Sequence, residues 1–320
     1  MPIASRLLLF TDLPMCFLEM ADLLLKKGAE PMRCNKEYGT ALHYLIINYS
    51  LPACEAILKA FPNIINSTQS SDKDTQLYSP LHLASWEGNV AAMDLLLSYG
   101  ADPHMPTYDS NTALSLACHC DSYAAAERLI KLGCDPNVSD NDGDTALIYA
   151  TYNGNSKLCQ LLIEHGADPT QSNKKHVTPL WNAVYSRALD IVQLLLTLNV
   201  DPHVCSCGDL ILQNGAGNIY DEPVSPLFVA VHTQQISMAK ALVAAGCYIN
   251  QTWHSDPSLN IYIRDWEPEN RRWFDFISHT PPKLAWWCKK TIRTCLPVRP
   301  QSVVHDMNLP SYLKQYILEI

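Results

Sequence analysis

The chain has 320 residues, 48% of them hydrophobic, and a formal net charge of −9 at pH 7. That composition supplies a substantial core, and its acidic balance argues against a nucleic-acid groove, which needs concentrated basic surface. Twelve cysteines without a regular framework point to free thiols in a reducing compartment, cytosolic or nuclear. No apolar run reaches the length of a membrane span. At the start, MPIASRLLLF is followed by Asp12, Pro14 and Glu19, which interrupt what would otherwise read as a signal peptide.

A repeat organises most of the chain. The segments LLLSYGADP, LIKLGCDP, LLIEHGADP and LLLTLNVDP place Gly100, Gly133, Gly166 and Asn199 at intervals of 33 residues. Thr112, Thr145 and Thr178, in TALSLA, TALIYA and TPLWNA, keep the same interval. A fixed period of this size predicts a solenoid, in which each unit buries its face only against its neighbours. Each recurring residue has a mechanical reason. Thr or Ser before the first helix caps an exposed backbone N–H. Pro80, Pro179 and Pro226 take the first helical position, where a missing N–H costs nothing. Ala84, Ala117, Ala150, Ala183 and Ala230 are small enough for close helix packing. Leucine clusters such as Leu95, Leu96 and Leu97 build the second helix's buried face. Gly100, Gly133, Gly166 and Gly246, with Asn199 as substitute, end that helix in a left-handed conformation.

These strings, with SPLHLASWEGN the clearest, resemble the ankyrin repeat over most of residues 1–250, which implies an all-α solenoid of helix-turn-helix units with short β-turn loops. A first unit keeps only its second helix (MADLLLKKGAEP) and acts as a cap. A second holds TALHYL at Thr40 to Leu45, with an insert around Gln69–Gln76. The last, SPLFVAV to LVAAGCYIN, lies 47 rather than 33 residues on, which leaves a Gly-containing loop over 204–224. Seven units are expected. The resemblance implies that the two residues before each inter-helix turn face the concave side. These are Trp86 and Glu87, His119 and Cys120, Tyr152 and Asn153, Tyr185 and Ser186, and His232 and Thr233. One aromatic or His thus falls in each of five successive units. Such side chains are favoured protein-interface anchors, although Tyr and Trp also fill gaps between neighbouring first helices. The turn tip DNDGDT (Asp140 to Thr145) is acidic and the next, NKKHVT, is basic at Lys174 and Lys175, so adjacent tips are expected to pair.

Residues 251–279 form an aromatic connector (Trp253, Trp266, Trp273, Phe274, Phe276), expected to lie as a lid on the last repeat. In PPKLAWWCKKTIRTCL, Leu284, Cys288 and Ile292 recur every four residues and share one helix face. Alone, that stripe reads equally well as a core-facing helix. It is followed by Leu309-Pro310 and by Leu313, Tyr316 and Ile317, and this combination over residues 280–320 resembles a SOCS box. With the repeats before it, the whole chain resembles the ankyrin repeat and SOCS box family. The resemblance implies a substrate-recognition adaptor of an elongin B/elongin C–cullin–RING ubiquitin ligase. Leu284 would anchor in an elongin C pocket, with Cys288 and Ile292 beside it, a helix-in-groove mode. Leu309, Pro310, Leu313, Tyr316 and Ile317 would meet a cullin-5-type scaffold, with Met307-Asn308 standing where a first Leu-Pro pair is common. The ankyrin face would hold a target protein for ubiquitination and degradation. The alternative is an ankyrin interaction scaffold whose C-terminal helices only seal the array.

No cofactor, metal or catalytic residue is expected. Cys118-His119-Cys120, and His203 with Cys205 and Cys207, lack the four convergent ligands of structural zinc. No nucleophile elbow, ordered triad or phosphate-binding loop appears. Cys288 and Cys295 have no evident neighbouring base to generate a thiolate.

Overall fold

The computed structural model describes residues 40–68, 78–198, 200–203, 225–247, 263–264 and 266–279. The expected capping unit, the 69–76 insert, Asn199, the 204–224 loop, Trp253 and the whole 280–320 segment lie outside these residues. Two compact units divide the chain, residues 1–141 and residues 142–320.

In the first unit three helix pairs come in order: α1 (Ala41–Ile47) with α2 (Leu51–Ala60), α3 (Pro80–Trp86) with α4 (Val90–Ser98), and α5 (Ala113–His119) with α6 (Tyr123–Lys131). The second unit holds α7 (Ala146–Asn153) with α8 (Ser156–Glu164), α9 (Pro179–Tyr185) with α10 (Leu189–Thr197), α11 (Pro226–His232) with α12 (Ile236–Ala244), and then α13 (Pro268–His279). Within each unit the first helix of a pair packs on the first helix of the next, and the second on the second. The paired helices among the described residues therefore fall into an inner and an outer layer.

The inner helices are seven or eight residues long and could not persist alone, because nucleation costs more than two turns return. Their ends are secured by capping. Hydroxyls of Thr112, Thr145, Thr178 and Ser225 accept backbone N–H groups from the third helical residue at 3.1–3.3 Å. Pro80, Pro179 and Pro226 open their helices as expected. These helices are buried on nearly every side. In α9 each residue from Pro179 to Val184 is buried, with Trp181 fully enclosed. Ala84, Ala117, Ala150, Ala183 and Ala230 are all completely buried, so any larger side chain there would have to push helices apart. Outer helices are one-sided: α8 buries Leu158, Cys159, Leu161 and Leu162 and leaves Glu164 exposed.

Side chains also bridge from one repeat to the next. In the first unit Asn89 Nδ2 reaches the Ile46 carbonyl at 3.5 Å. In the second, Ser186 Oγ donates to the Thr151 carbonyl at 2.8 Å and Gln235 Nε2 to the Val184 carbonyl at 3.2 Å. The tips are joined too, and chiefly through the backbone. Asn141 N donates to Asp109 O in the first unit, and Lys174 N to Asp142 O in the second, each at 2.9 Å. Asn173 Nδ2 adds a bond to Asp144 Oδ1 at 2.8 Å. Gly143 permits that approach: a Cβ there would sit 2.9 Å from Lys174 N.

Two histidines act as buried rungs in the first unit. His43 Nδ1 accepts from the Thr40 backbone N–H, which leaves Nε2–H to donate to the Tyr78 carbonyl at 3.0 Å. His82 repeats the arrangement with Ser79 and the Met105 carbonyl, the latter at 2.7 Å. Burial holds both imidazoles at a pKa of about 4, only partly opposed by the carbonyl bond. Ser115 takes the same register position in the next repeat and keeps the bond to its cap residue, accepting the Thr112 backbone N–H at 3.0 Å, whereas Ile148, Trp181 and Phe228 fill that position with apolar side chains in later repeats.

The turn between paired helices needs a positive φ, found at Tyr49, Gly88, Asp121, Gly154, Arg187 and Gln234. Glycine meets that need without strain, whereas the four other residues carry a left-handed backbone with a Cβ.

This packing has two measurable consequences. His43 and His82 stay neutral in the folded chain but protonate near pH 6.5 when unfolded, so their contribution is complete above that pH and is lost as pH falls towards 4. Chemical denaturation at pH 7 and pH 5 should differ by about 2 kcal/mol per histidine; equal stabilities would contradict the buried rungs. Gln234→Gly should raise stability by about 0.5–1 kcal/mol, read as a higher denaturation midpoint, because strain relief outweighs added unfolded-state freedom.

Candidate functional surface

The turns after the inner helices carry the side chains expected to meet a partner in each unit. In the first, Trp86 at the end of α3 is half-buried and stacks on His119 at the end of α5, with ring centroids 4.9 Å apart and planes 22° from parallel. The Tyr78 ring lies 6.3 Å from Trp86. Tyr49 is 52% exposed, and its hydroxyl donates to the Glu87 carbonyl at 3.3 Å. Glu87 itself is exposed, yet partial desolvation raises its carboxyl pKa. Cys120 completes the patch. Burial, reinforced by the Glu87 charge, pushes its thiol up to about 11. The Tyr78 phenol is pushed up to about 12 by burial, with the Asp109 charge adding to it.

Tyr49 and Tyr78 do not stand at the register positions that the repeat pattern marks. Tyr49 occupies the left-handed turn residue, which is glycine in the next repeat (Gly88), and Tyr78 precedes the Ser79 cap. The available signal is the spacing of Tyr49 from Gly88, stretched to 39 by the insert between them.

In the second unit the marked residues divide. Tyr152 is 60% exposed and Asn153 is exposed beside it. Tyr185 is 39% exposed and its ring lies on buried Trp181, centroids 5.5 Å apart at 14°. Ser186 is committed to the Thr151 carbonyl. His232 is half-buried and stacked on Phe228 at 6.0 Å, and desolvation lowers its pKa. Thr233 turns its hydroxyl back to the Val229 carbonyl at 2.6 Å. Tyr152, Asn153 and Tyr185 are thus the exposed side chains here, while His232 and Thr233 are half-buried.

Among the described residues no group of three or more His, Cys, Asp or Glu side chains could hold a metal ion. Cys118 is fully buried while Cys120 lies at the turn, so the two do not converge. His203 Nε2 lies 3.1 Å from the Gly246 carbonyl, and Cys205 and Cys207 lie outside the described residues. Buried thiols have structural partners: Cys247 Sγ donates to the Pro202 carbonyl at 3.1 Å. Near the end of the described chain, Trp266 and Phe274 are buried edge to face at 5.7 Å. Lys240 of α12 bonds Asn270 of α13 at 3.1 Å and lies 5.6 Å from the Trp273 ring. No helix among the described residues is long and apolar enough to cross a membrane. Leu284, Cys288, Ile292, Leu309, Pro310, Leu313, Tyr316 and Ile317 lie outside the described residues.

The family described as Ankyrin repeats (3 copies) matches the chain over residues 16–107, 65–140 and 114–206. Together these spans cover more than half of the sequence and include the helix pairs from α1 to α10. Such stacks are protein-interaction scaffolds, with variable turn residues on a repetitive frame. The chain belongs to the ankyrin-repeat family.

Proposed function

We propose that this chain is the substrate-recognition adaptor of an elongin B/elongin C–cullin–RING ubiquitin ligase, with a cullin-5-type scaffold. The observation that carries the reading is the order of its motifs. An ankyrin array is followed by Leu284, Cys288 and Ile292 at four-residue spacing, and then by Leu309-Pro310 with Leu313, Tyr316 and Ile317. In this reading the ankyrin repeats hold the target, through Trp86, Glu87 and His119 on the first unit and Tyr152, Asn153 and Tyr185 on the second. The box docks Leu284 into elongin C. The chain then acts by proximity, raising the local concentration of target lysines at a transfer site that other subunits supply.

A non-catalytic role suits the thiols among the described residues. Burial pushes Cys54 up to about 12 and Cys120 and Cys134 up to about 11, far from the range of a thiolate nucleophile. The second reading, a scaffold without ligase function, shares the recognition faces and differs only in the fate of the tail.

Co-purification with elongin B and elongin C separates the two. The wild-type chain should form a stable complex, and a Leu284→Pro, Cys288→Phe double variant with an unchanged melting temperature should not. Absence of both complexes would leave the scaffold reading. Tyr152→Ala, at a side chain 60% exposed, should change stability by less than about 0.5 kcal/mol. If Tyr152 anchors the target, the same change should weaken target binding by about 2 kcal/mol, roughly thirtyfold, in a titration. Undiminished target affinity would remove Tyr152 from the recognition face.

A further inference from the structure

Charge is distributed unevenly in the first unit. Its described residues contain three cationic side chains, Lys59, Arg128 and Lys131, against nine carboxylates. Each cation lies on an outer helix and is already matched, to Glu55 at 2.7 Å, Asp94 at 2.6 Å and Glu127 at 3.2 Å. The aromatic patch of Tyr49, Tyr78, Trp86 and His119 consequently has no Lys or Arg beside it among the described residues. Its flanks carry carboxylates: Glu87 acts electrostatically on Tyr49 and Cys120, and Asp109 acts on Tyr78.

Glu87 is poorly placed for stability. It caps the C-terminal end of α3, where the helix dipole disfavours an anion, and it is partly desolvated beside a phenol and a thiol. A surface carboxylate in that position costs folding free energy that a neutral isostere would not. Costs of this kind are characteristic of surfaces shaped for binding rather than for stability.

We infer that the Trp86–Glu87 patch of the first unit receives an arginine-bearing segment of a protein partner. A guanidinium placed against the indole gains a cation–π contact and can donate charge-assisted hydrogen bonds to the Glu87 carboxylate. Arginine suits the site better than lysine, because its planar fork can stack on an aromatic ring and bond a carboxylate together. This deepens the proposal that the ankyrin face receives a target protein. It is independent of the ligase role, which the elongin experiment tests by itself.

The test uses the full-length chain and a fluorescent twelve-residue Gly/Ser peptide bearing three arginines, beside the same peptide with citrulline at those positions. Citrulline keeps the shape and removes the charge. The arginine peptide should bind with a dissociation constant on the order of 10–100 µM and the citrulline peptide at least about tenfold more weakly. Glu87→Gln should weaken arginine-peptide binding about tenfold while raising the melting temperature by about one or two degrees. Trp86→Phe, which keeps a ring in place, should weaken binding severalfold. Glu55→Gln, on the outer face, should leave binding unchanged. Equal affinity for the two peptides, no measurable binding of either, or equal losses for Glu87→Gln and Glu55→Gln would each overturn the assignment. Binding of both peptides with loss only in Trp86→Phe would keep a partner on this face and reject its basic character.

Discussion

Everything in this protein depends on contact between inner helices too short to stand alone. Each is seven or eight residues long, so each acquires its stability from the same element in the neighbouring repeat. That constraint explains the buried alanines, where two helices approach without room for a larger side chain. It also explains the side chains that cross from one repeat to a carbonyl in the next, such as Asn89 to Ile46 and Ser186 to Thr151. The stack uses almost the whole surface of an inner helix and leaves its terminal turn uncovered. The uncovered turns and tips vary in chemistry from one repeat to the next.

The two faces differ accordingly. In the first unit the turn chemistry is aromatic and acidic, with Trp86 stacked on His119 and the Glu87 carboxylate alongside. In the second it is aromatic and neutral at Tyr152 and Asn153, with Lys174 and Lys175 exposed at a tip. The four non-glycine residues at positive φ in the inner turns belong to the same picture. A frame indifferent to these side chains can tolerate a small backbone penalty at each turn and present Tyr49 or Arg187 where glycine would present nothing.

Much of the frame is legible in the sequence because it rests on local rules. A capping hydroxyl, a proline at the first helical position and a turn glycine each act within a few residues, so their spacing transfers directly to structure. The surface is legible only in part. Register marks Tyr152 and Tyr185, which are exposed, and Trp86, which is half-buried against His119. It also marks His232, which is half-buried and stacked on Phe228. Register passes over Tyr49 and Tyr78, since neither occupies a consensus surface position. The outer-face pairing of Arg128 with Asp94 spans 34 residues and depends on how adjacent outer helices align, which no local pattern encodes.

If the repeats recognise and residues 284–292 deliver, the two tasks should separate in hydrogen–deuterium exchange of the full chain with and without elongin B and elongin C. The expected result is strong protection of amides across 284–292 on complex formation, with exchange in the inner helices α1, α3, α5, α7, α9 and α11 unchanged. Protection appearing in those helices, with residues 284–292 unaffected, would contradict the division.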